Sequence, residues 1–139
     1  MQGRALPARA INTVPNTNKV ITVVDDDQSM SRMLSRVLTT AGFEVVSYAS
    51  AEEYIDSKDS KAADCLVLDM NLPGMSGAEL QQLLIHRGVE IPIIFISADA
   101  NEIAQQQVLD AGGAAFLSKP FNIESLLEKI RSVALLTLS

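Results

Sequence analysis

Five short apolar runs punctuate this chain, and each is followed by a polar loop or by apolar residues at helical spacing. The runs are rich in β-branched residues and end in polar ones, a pattern typical of strands buried in a parallel sheet. The predicted strands cover residues 20–24, 43–48, 65–69, 91–97 and 116–117. Strands and helices in this alternation predict an α/β fold with a doubly wound, five-stranded parallel (βα)5 sheet covered by helices on both faces.

The predicted helices are marked by residues that start and stop them. Gly42 and Gly112 follow apolar helical patterns as C-terminal stops. Ser50 and Glu53 match a capping box that opens the second helix, and Asn122 is the predicted N-cap of the last one. The helices are predicted over residues 30–41, from 50 onward, from the loop 71–77 to about 87, over about 101–111, and over 123–133.

Acidic residues stand where two of the predicted strands end. Asp25, Asp26 and Asp27 follow the first strand, and Asp69 closes the third. Because the carboxyl ends of parallel strands line the crevice of an open α/β sheet, these carboxylates should share one small volume. Mg²⁺ suits such a cluster, since it takes hard oxygen ligands from carboxylates, waters and phosphate oxygens. The pattern therefore predicts a magnesium site.

Two further strand ends add a hydroxyl and a cation, Ser97 on the fourth strand and Lys119 after the fifth. A carboxylate beside a bound cation can attack phosphorus, and Asp69 is the best candidate because it stands alone at the central strand. Asp25 and Asp26 are adjacent and better suited to holding metal and its waters. Lys119 could pair with one phosphate oxygen and Ser97 could donate to another.

The length, net charge and cysteine content of the chain narrow the possible classes of function. A chain of 139 residues is the size of one domain. A net charge of −6 argues against direct contact with nucleic acid, and no apolar run is long enough for a membrane span. The lone Cys65 cannot form an intrachain disulfide, which fits a cytoplasmic location. Residues 1–18 are predicted to be a flexible arm, and residues 137–139 a tail or the start of a linker.

The motifs ITVVDDD, LVLDMNLPGMSG, IIFISA and AGGAAFLSKPF stand together at these strand ends. With them, residues 19–136 resemble a two-component response regulator receiver domain. The resemblance implies a chemotaxis-regulator-like fold with the flavodoxin-like strand order 2-1-3-4-5. It also implies that a sensor histidine kinase or a histidine phosphotransfer protein supplies a phosphoryl group to Asp69.

The same resemblance implies a ligand set. Mg²⁺ would be bound by Asp26, Asp69 and the backbone carbonyl of Asn71, with Asp25 contributing mainly through water. Ser97 and Lys119 would contact the phosphoryl oxygens. The peptide bond between Lys119 and Pro120 matches a family position that is cis.

Phosphorylation is expected to act as a switch. The new negative charge would draw Ser97 toward it, with Phe116 at the position of an aromatic that turns inward on activation. The output face would be helix 4, strand 5 and helix 5, including Ile103, Gln107 and Phe116. It would control an output domain, often in transcription, or a partner, or form a homodimer.

Two residues are expected to tune how long the phosphoryl group lasts. Asn71 and Asp99 lie two residues after Asp69 and Ser97, and both could orient an attacking water. Moderately fast autodephosphorylation is therefore predicted. The chain would act only on its own phosphorylation and would not otherwise be an enzyme.

Two other functions use some of the same residues. A phosphatase of the haloacid dehalogenase type would use Asp25 as nucleophile with Asp27, Ser97 and Lys119, but it would need an acidic pair after the lysine and a cap, and it would leave Asp69 idle. A receiver-like interaction module that never takes phosphate is a further alternative. The intact set of acidic, hydroxyl and lysine residues argues against that module.

Overall fold

The computed structural model describes residues 18–57, 63–99 and 101–135. The predicted arm, apart from Asn18, and the predicted tail lie outside the described residues. Among the residues described, no helix combines the length and apolar character that a membrane crossing would need.

Five parallel strands form one sheet, in which the strands numbered along the chain lie in the order 2-1-3-4-5. This confirms both the fold class and the strand order expected from the resemblance. The third and fourth strands along the chain are buried over their whole length, as expected for a sheet covered on both faces. The strands are β1 (Val20–Val24), β2 (Glu44–Tyr48), β3 (Cys65–Asp69), β4 (Ile93–Ser97) and β5 (Ala115–Ser118).

A helix follows each strand. The helices are α1 (Gln28–Thr40), α2 (Ala51–Asp56), α3 (Gly77–His86), α4 (Glu102–Asp110) and α5 (Ile123–Ile130), which continues as a π-helical turn over Arg131–Leu135. Gly42 and Gly112 have φ angles of 101° and 113°, so they end α1 and α4 in the left-handed conformation that glycine tolerates. Asn122 caps α5 by accepting a hydrogen bond from Glu124 N.

Three local predictions were wrong in detail. The fourth strand begins at Ile93 rather than at residue 91, because Pro92 has no N–H to donate, although its carbonyl accepts from Leu66 N at 2.9 Å. The last helix leaves α-helical geometry after Ile130. At the start of α2, Ser50 accepts from Glu53 N, but the Glu53 carboxylate accepts from Ala49 N instead of closing the capping box on Ser50.

The complete capping box occurs elsewhere, at the start of α3. Ser76 accepts from Glu79 N at 3.1 Å, and the Glu79 carboxylate accepts from Ser76 N at 2.9 Å. This pair satisfies two backbone N–H groups that would otherwise lack partners in the first turn. It anchors α3 directly after the loop that follows Asp69.

Two hydrophobic clusters hold the helices to the sheet, one on each face. Alternate strand residues point to opposite faces, so Val67 belongs to one cluster and Leu68 to the other. The first cluster joins the sheet to α1 and α5 through Leu34, Leu38, Leu126 and Ile130. The second joins it to α2, α3 and α4 through Tyr54, Leu80, Leu84 and Val108. The polar strand ends lie between these two layers, at one edge.

Candidate functional site

The first carboxylate of the site is Asp25, directly after β1. The residue is only 1% exposed, and its two oxygens have different partners. Oδ1 accepts from Asp27 N at 2.9 Å, and Oδ2 accepts from Lys119 Nζ at 3.1 Å. Burial raises the pKa of Asp25, and the nearby charge of Asp69 raises it further, while the hydrogen bonds from Asp27 and Lys119 oppose that rise.

The other two aspartates of the triplet have separate tasks. Asp26 is exposed at the mouth of the site. Asp27 caps α1, since its side chain accepts from Ser29 N at 3.0 Å and from Met30 N at 3.2 Å. Helix capping, the ordinary role of an acid run, therefore applies to Asp27 alone.

Asp69 ends β3 and is 4% exposed. Its Oδ1 accepts from Asn71 N at 3.0 Å, and its Oδ2 lies 3.5 Å from Lys119 Nζ. The backbone on one side and an ammonium on the other fix the direction of this carboxylate. The structure thus brings together Asp25, Asp69 and Lys119, as the strand pattern predicts.

Lys119 follows β5 and lies between the two buried carboxylates. Burial lowers the pKa of Lys119, but the hydrogen bond and charge of Asp25, with those of Asp69, outweigh it, so the pKa is raised overall. The side chain therefore carries a positive charge that offsets part of the local negative charge. The peptide bond from Lys119 to Pro120 is cis, as expected.

Three carboxylates of the site form a set of possible ligands for a metal ion. Asp25, Asp26 and Asp69 each present one carboxylate oxygen, and these three oxygens lie within 4.8 Å of one another. Several carboxylate oxygens at one point form a hard donor set, which suits a small divalent cation rather than a soft metal. The residues present therefore fit the predicted class of ion.

Ser97 ends β4 and is 2% exposed. Its hydroxyl lies 2.7 Å from Asn71 Oδ1 and 3.1 Å from the carbonyl oxygen of Asp99, and its oxygen accepts from Asp99 N at 3.0 Å. The side chain of Asp99 itself is exposed. Asn71 and Ser97 were predicted as separate site residues, and the hydrogen bond between their side chains was not predicted.

The predicted output face can be located on α4 and β5. Phe116 is half-buried, pairs with Phe95 in the strand register and packs against the second hydrophobic cluster. Ile103 is 73% exposed, and Gln107 is exposed on the same helix. The exposed residues of α4 are therefore accessible to a partner on this face.

Gly77, the first residue of α3, supports the site and was missed as a site residue. A Cβ at this position would lie 2.6 Å from the carbonyl oxygen of Asp69 and 2.9 Å from Met70 Cα. Both neighbours are backbone atoms, so no side-chain rotation can relieve the contact. The second glycine of the motif LPGMSG could have indicated this close contact, but a glycine in a turn-rich loop is explained equally well by the turn.

The variant Gly77→Ala is expected to lower the free energy of unfolding by roughly 1–3 kcal/mol, the usual cost of overpacking. It should also displace the backbone after Asp69, which NMR would detect as shifted amide signals of Met70 and Asn71. The control is Gly113→Ala, whose Cβ would meet Phe95 and the Val108 carbonyl at 2.8 Å, away from the site. Unchanged Met70 and Asn71 signals in Gly77→Ala would contradict this role.

Known proteins resemble this chain in sequence. The family model for the response regulator receiver domain matches residues 21–131. Nodulation protein W of Bradyrhizobium diazoefficiens is 38% identical over 119 residues, which are 86% of this chain and 52% of that protein. Response regulator protein TmoT of Ectopseudomonas mendocina is 37% identical over 81% of this chain and 51% of its own length. The chain thus spans about half the length of these relatives.

Solved structures agree with the sequence matches. The response regulator StyR superposes with a TM-score of 0.79 at 38% identity, covering 86% of this chain and 61% of that one. The structure named FixJ-N superposes with a TM-score of 0.76 at 29% identity, covering 85% of this chain and 94% of that one. The predicted resemblance is confirmed, and this chain belongs to the response regulator receiver domain family.

Proposed function

We propose that this receiver domain takes a phosphoryl group onto Asp69 in a two-component phosphorelay. The observation that carries the proposal is the position of Lys119 Nζ, 3.1 Å from Asp25 and 3.5 Å from Asp69, beside a three-carboxylate cluster. A carboxylate held between a cation and a metal-binding cluster is suited to attack on an anionic phosphoryl group. The family membership supports the same chemistry.

The proposed donor is a phosphohistidine on a sensor histidine kinase or a histidine phosphotransfer protein. An oxygen of Asp69 attacks phosphorus, a P–O bond forms, the P–N bond breaks, and its electron pair returns to the imidazole. Lys119 then pairs with one phosphoryl oxygen and the Ser97 hydroxyl donates to another. Each of these groups already lies at the same sheet edge as Asp69.

The proposed cofactor is Mg²⁺, held by Asp26, Asp69 and the Asn71 backbone carbonyl, with Asp25 acting mainly through water. When bound, it supplies positive charge that lowers the repulsion between the carboxylate and the incoming phosphoryl group. The three clustered carboxylate oxygens support this assignment. The burial of Asp25 and its bond to Lys119 fit an indirect role for that residue.

The proposed output is a change in the face formed by α4, β5 and α5. Ser97 turns toward the phosphoryl group, the start of α4 follows, and Phe116 adjusts beside Phe95. The proposed partner of this face is an output domain or a second copy of the chain, and the exposed Ile103 would lie in that contact. Since the matched region makes up only about half of each relative's length, we include control of an output domain, for example one for transcription, in the proposed role. The net charge of −6 makes direct nucleic-acid contact by this domain unfavourable.

Loss of the phosphoryl group is proposed to be self-catalysed, with Asn71 and Asp99 orienting the attacking water. No reaction on a separate substrate is proposed. A cytoplasmic location and the domain bounds 19–136 stay predictions from the sequence.

The first test is the intact mass of the protein after incubation with acetyl phosphate and magnesium. A single phosphoryl adduct is expected, and chelation of magnesium with EDTA should prevent it. Unmodified protein with an intact circular dichroism spectrum would contradict phosphorylation and favour the interaction module that works without phosphate.

A further inference from the structure

We propose that the Asn71 side chain is a latch that holds Ser97 in its resting orientation. In this view Asn71 sets the balance between the resting and active conformations before any phosphoryl group arrives. The inference rests on the proposed function only in taking Ser97 as the residue that switches. It assigns Asn71 a positioning role that differs from orienting water.

The first argument is the hydrogen-bonding capacity of the Ser97 hydroxyl. A hydroxyl has one hydrogen to donate, and the two acceptors within reach are Asn71 Oδ1 at 2.7 Å and the Asp99 carbonyl at 3.1 Å. The shorter distance favours Asn71. The Ser97 oxygen is already engaged as acceptor by Asp99 N, so the resting hydroxyl is fully partnered.

The second argument is burial. Ser97 is 2% exposed, so water cannot easily replace a lost partner of its hydroxyl. Asn71 is exposed, so its side-chain oxygen can exchange Ser97 for water at little cost. The hydrogen bond can therefore break at little cost to Asn71, but Ser97 keeps a partner for its hydroxyl only if a new acceptor replaces Asn71.

The third argument is that one residue contacts both the acceptor carboxylate and the switch. The backbone N–H of Asn71 donates to Asp69 Oδ1 at 3.0 Å, while its side chain accepts from Ser97. A change in charge and bonding at the Asp69 carboxylate alters the first contact directly. Asn71 is thus placed to weaken its hold on Ser97 when Asp69 is modified.

The latch separates Asn71 from Asp99, which otherwise share the predicted role of orienting water. The hydrogen bonds between Ser97 and Asp99 involve the Asp99 backbone alone, whereas the hydrogen bond between Ser97 and Asn71 uses the Asn71 side chain. Truncating Asn71 should therefore disturb the resting state, and truncating Asp99 should not.

The test uses the phosphate-free protein and NMR. The amide signal of Asp99 reports its bond to the Ser97 hydroxyl oxygen, so no phosphoryl group is needed. In Asn71→Ala this signal and those of the first turn of α4, which follows Asp99, should shift. The Asp99 amide should exchange with solvent faster by roughly 3- to 10-fold, the equilibrium change that one net hydrogen bond represents. In the control Asp99→Ala, the α4 signals should stay at their wild-type positions.

A double-mutant cycle completes the test. In a Ser97→Ala background, Asn71→Ala should have no further effect on the α4 signals, because the contact is already gone. The apparent affinity for beryllium fluoride with magnesium, used as a phosphoryl mimic, should rise roughly 3- to 10-fold in Asn71→Ala alone, since less free energy is needed to release Ser97.

Two outcomes would overturn the latch: an unchanged Asp99 signal in Asn71→Ala, or the same α4 shift with and without Ser97. A wild-type protein that does not bind beryllium fluoride in the presence of magnesium would contradict the proposed phosphorylation instead. The Asp99 signal would still decide the latch in that case, so the two failures can be told apart.

Discussion

Asp69→Asn is expected to take up no phosphoryl group from acetyl phosphate, while the wild type becomes singly modified. Asp69 is held by Asn71 N and Lys119 Nζ with the carboxylate at the sheet edge. An amide of the same shape keeps the packing but lacks the nucleophilic oxygen, so the reaction has no acceptor. Intact mass spectrometry over several incubation times measures this loss directly.

Two further aspartate variants serve as controls for that result. Asp56 lies on the exposed surface of α2, so Asp56→Asn should be phosphorylated like the wild type. Asp25→Asn should be modified more slowly, because it changes the hydrogen bond to Lys119 but leaves the acceptor in place. An adduct that survives in Asp69→Asn and vanishes in Asp25→Asn would contradict the assignment and support the phosphatase-type nucleophile.

Lys119→Met is expected to slow phosphorylation by acetyl phosphate by roughly 10²-fold or more, the usual effect of removing one preorganised charge-stabilising group. The ammonium of Lys119 contacts both buried carboxylates and is the cation placed to meet a phosphoryl oxygen. Methionine keeps much of the length and apolar stem, so the loss should come from charge. The initial rate of adduct formation, at fixed magnesium and donor concentrations, is the measurement.

Lys129→Met provides the matched control, since this half-buried lysine lies on α5 and outside the contacts of the site. It should phosphorylate at the wild-type rate. A circular dichroism spectrum and an unfolding curve for each variant separate loss of fold from loss of rate. A Lys119→Met protein that is folded and reacts at the wild-type rate would remove Lys119 from the proposed chemistry.

Most of the fold could be predicted because buried segments have a recognisable pattern of apolar residues along the chain. The β3 run Cys65–Asp69 is apolar up to its final acid, and its observed bounds are those predicted. Parallel strands all end at the same edge, so Asp25, Asp69, Ser97 and Lys119 could be expected to converge once five such units were recognised. The local pattern was therefore sufficient for the fold class and for the chemical character of the site.

What the sequence by itself determined was which residues are buried, where strands and helices alternate, and which polar groups reach one edge. Only the tertiary structure decided that Asn71 Oδ1 accepts from Ser97, and that Gly77 must lack a side chain behind Asp69. It also decided that Lys119 contacts Asp25, 94 residues away in the chain. The physical reason is that periodicity reflects burial, which is a property of one position. Hydrogen bonds and close contacts depend on distances between elements, and packing alone sets those distances.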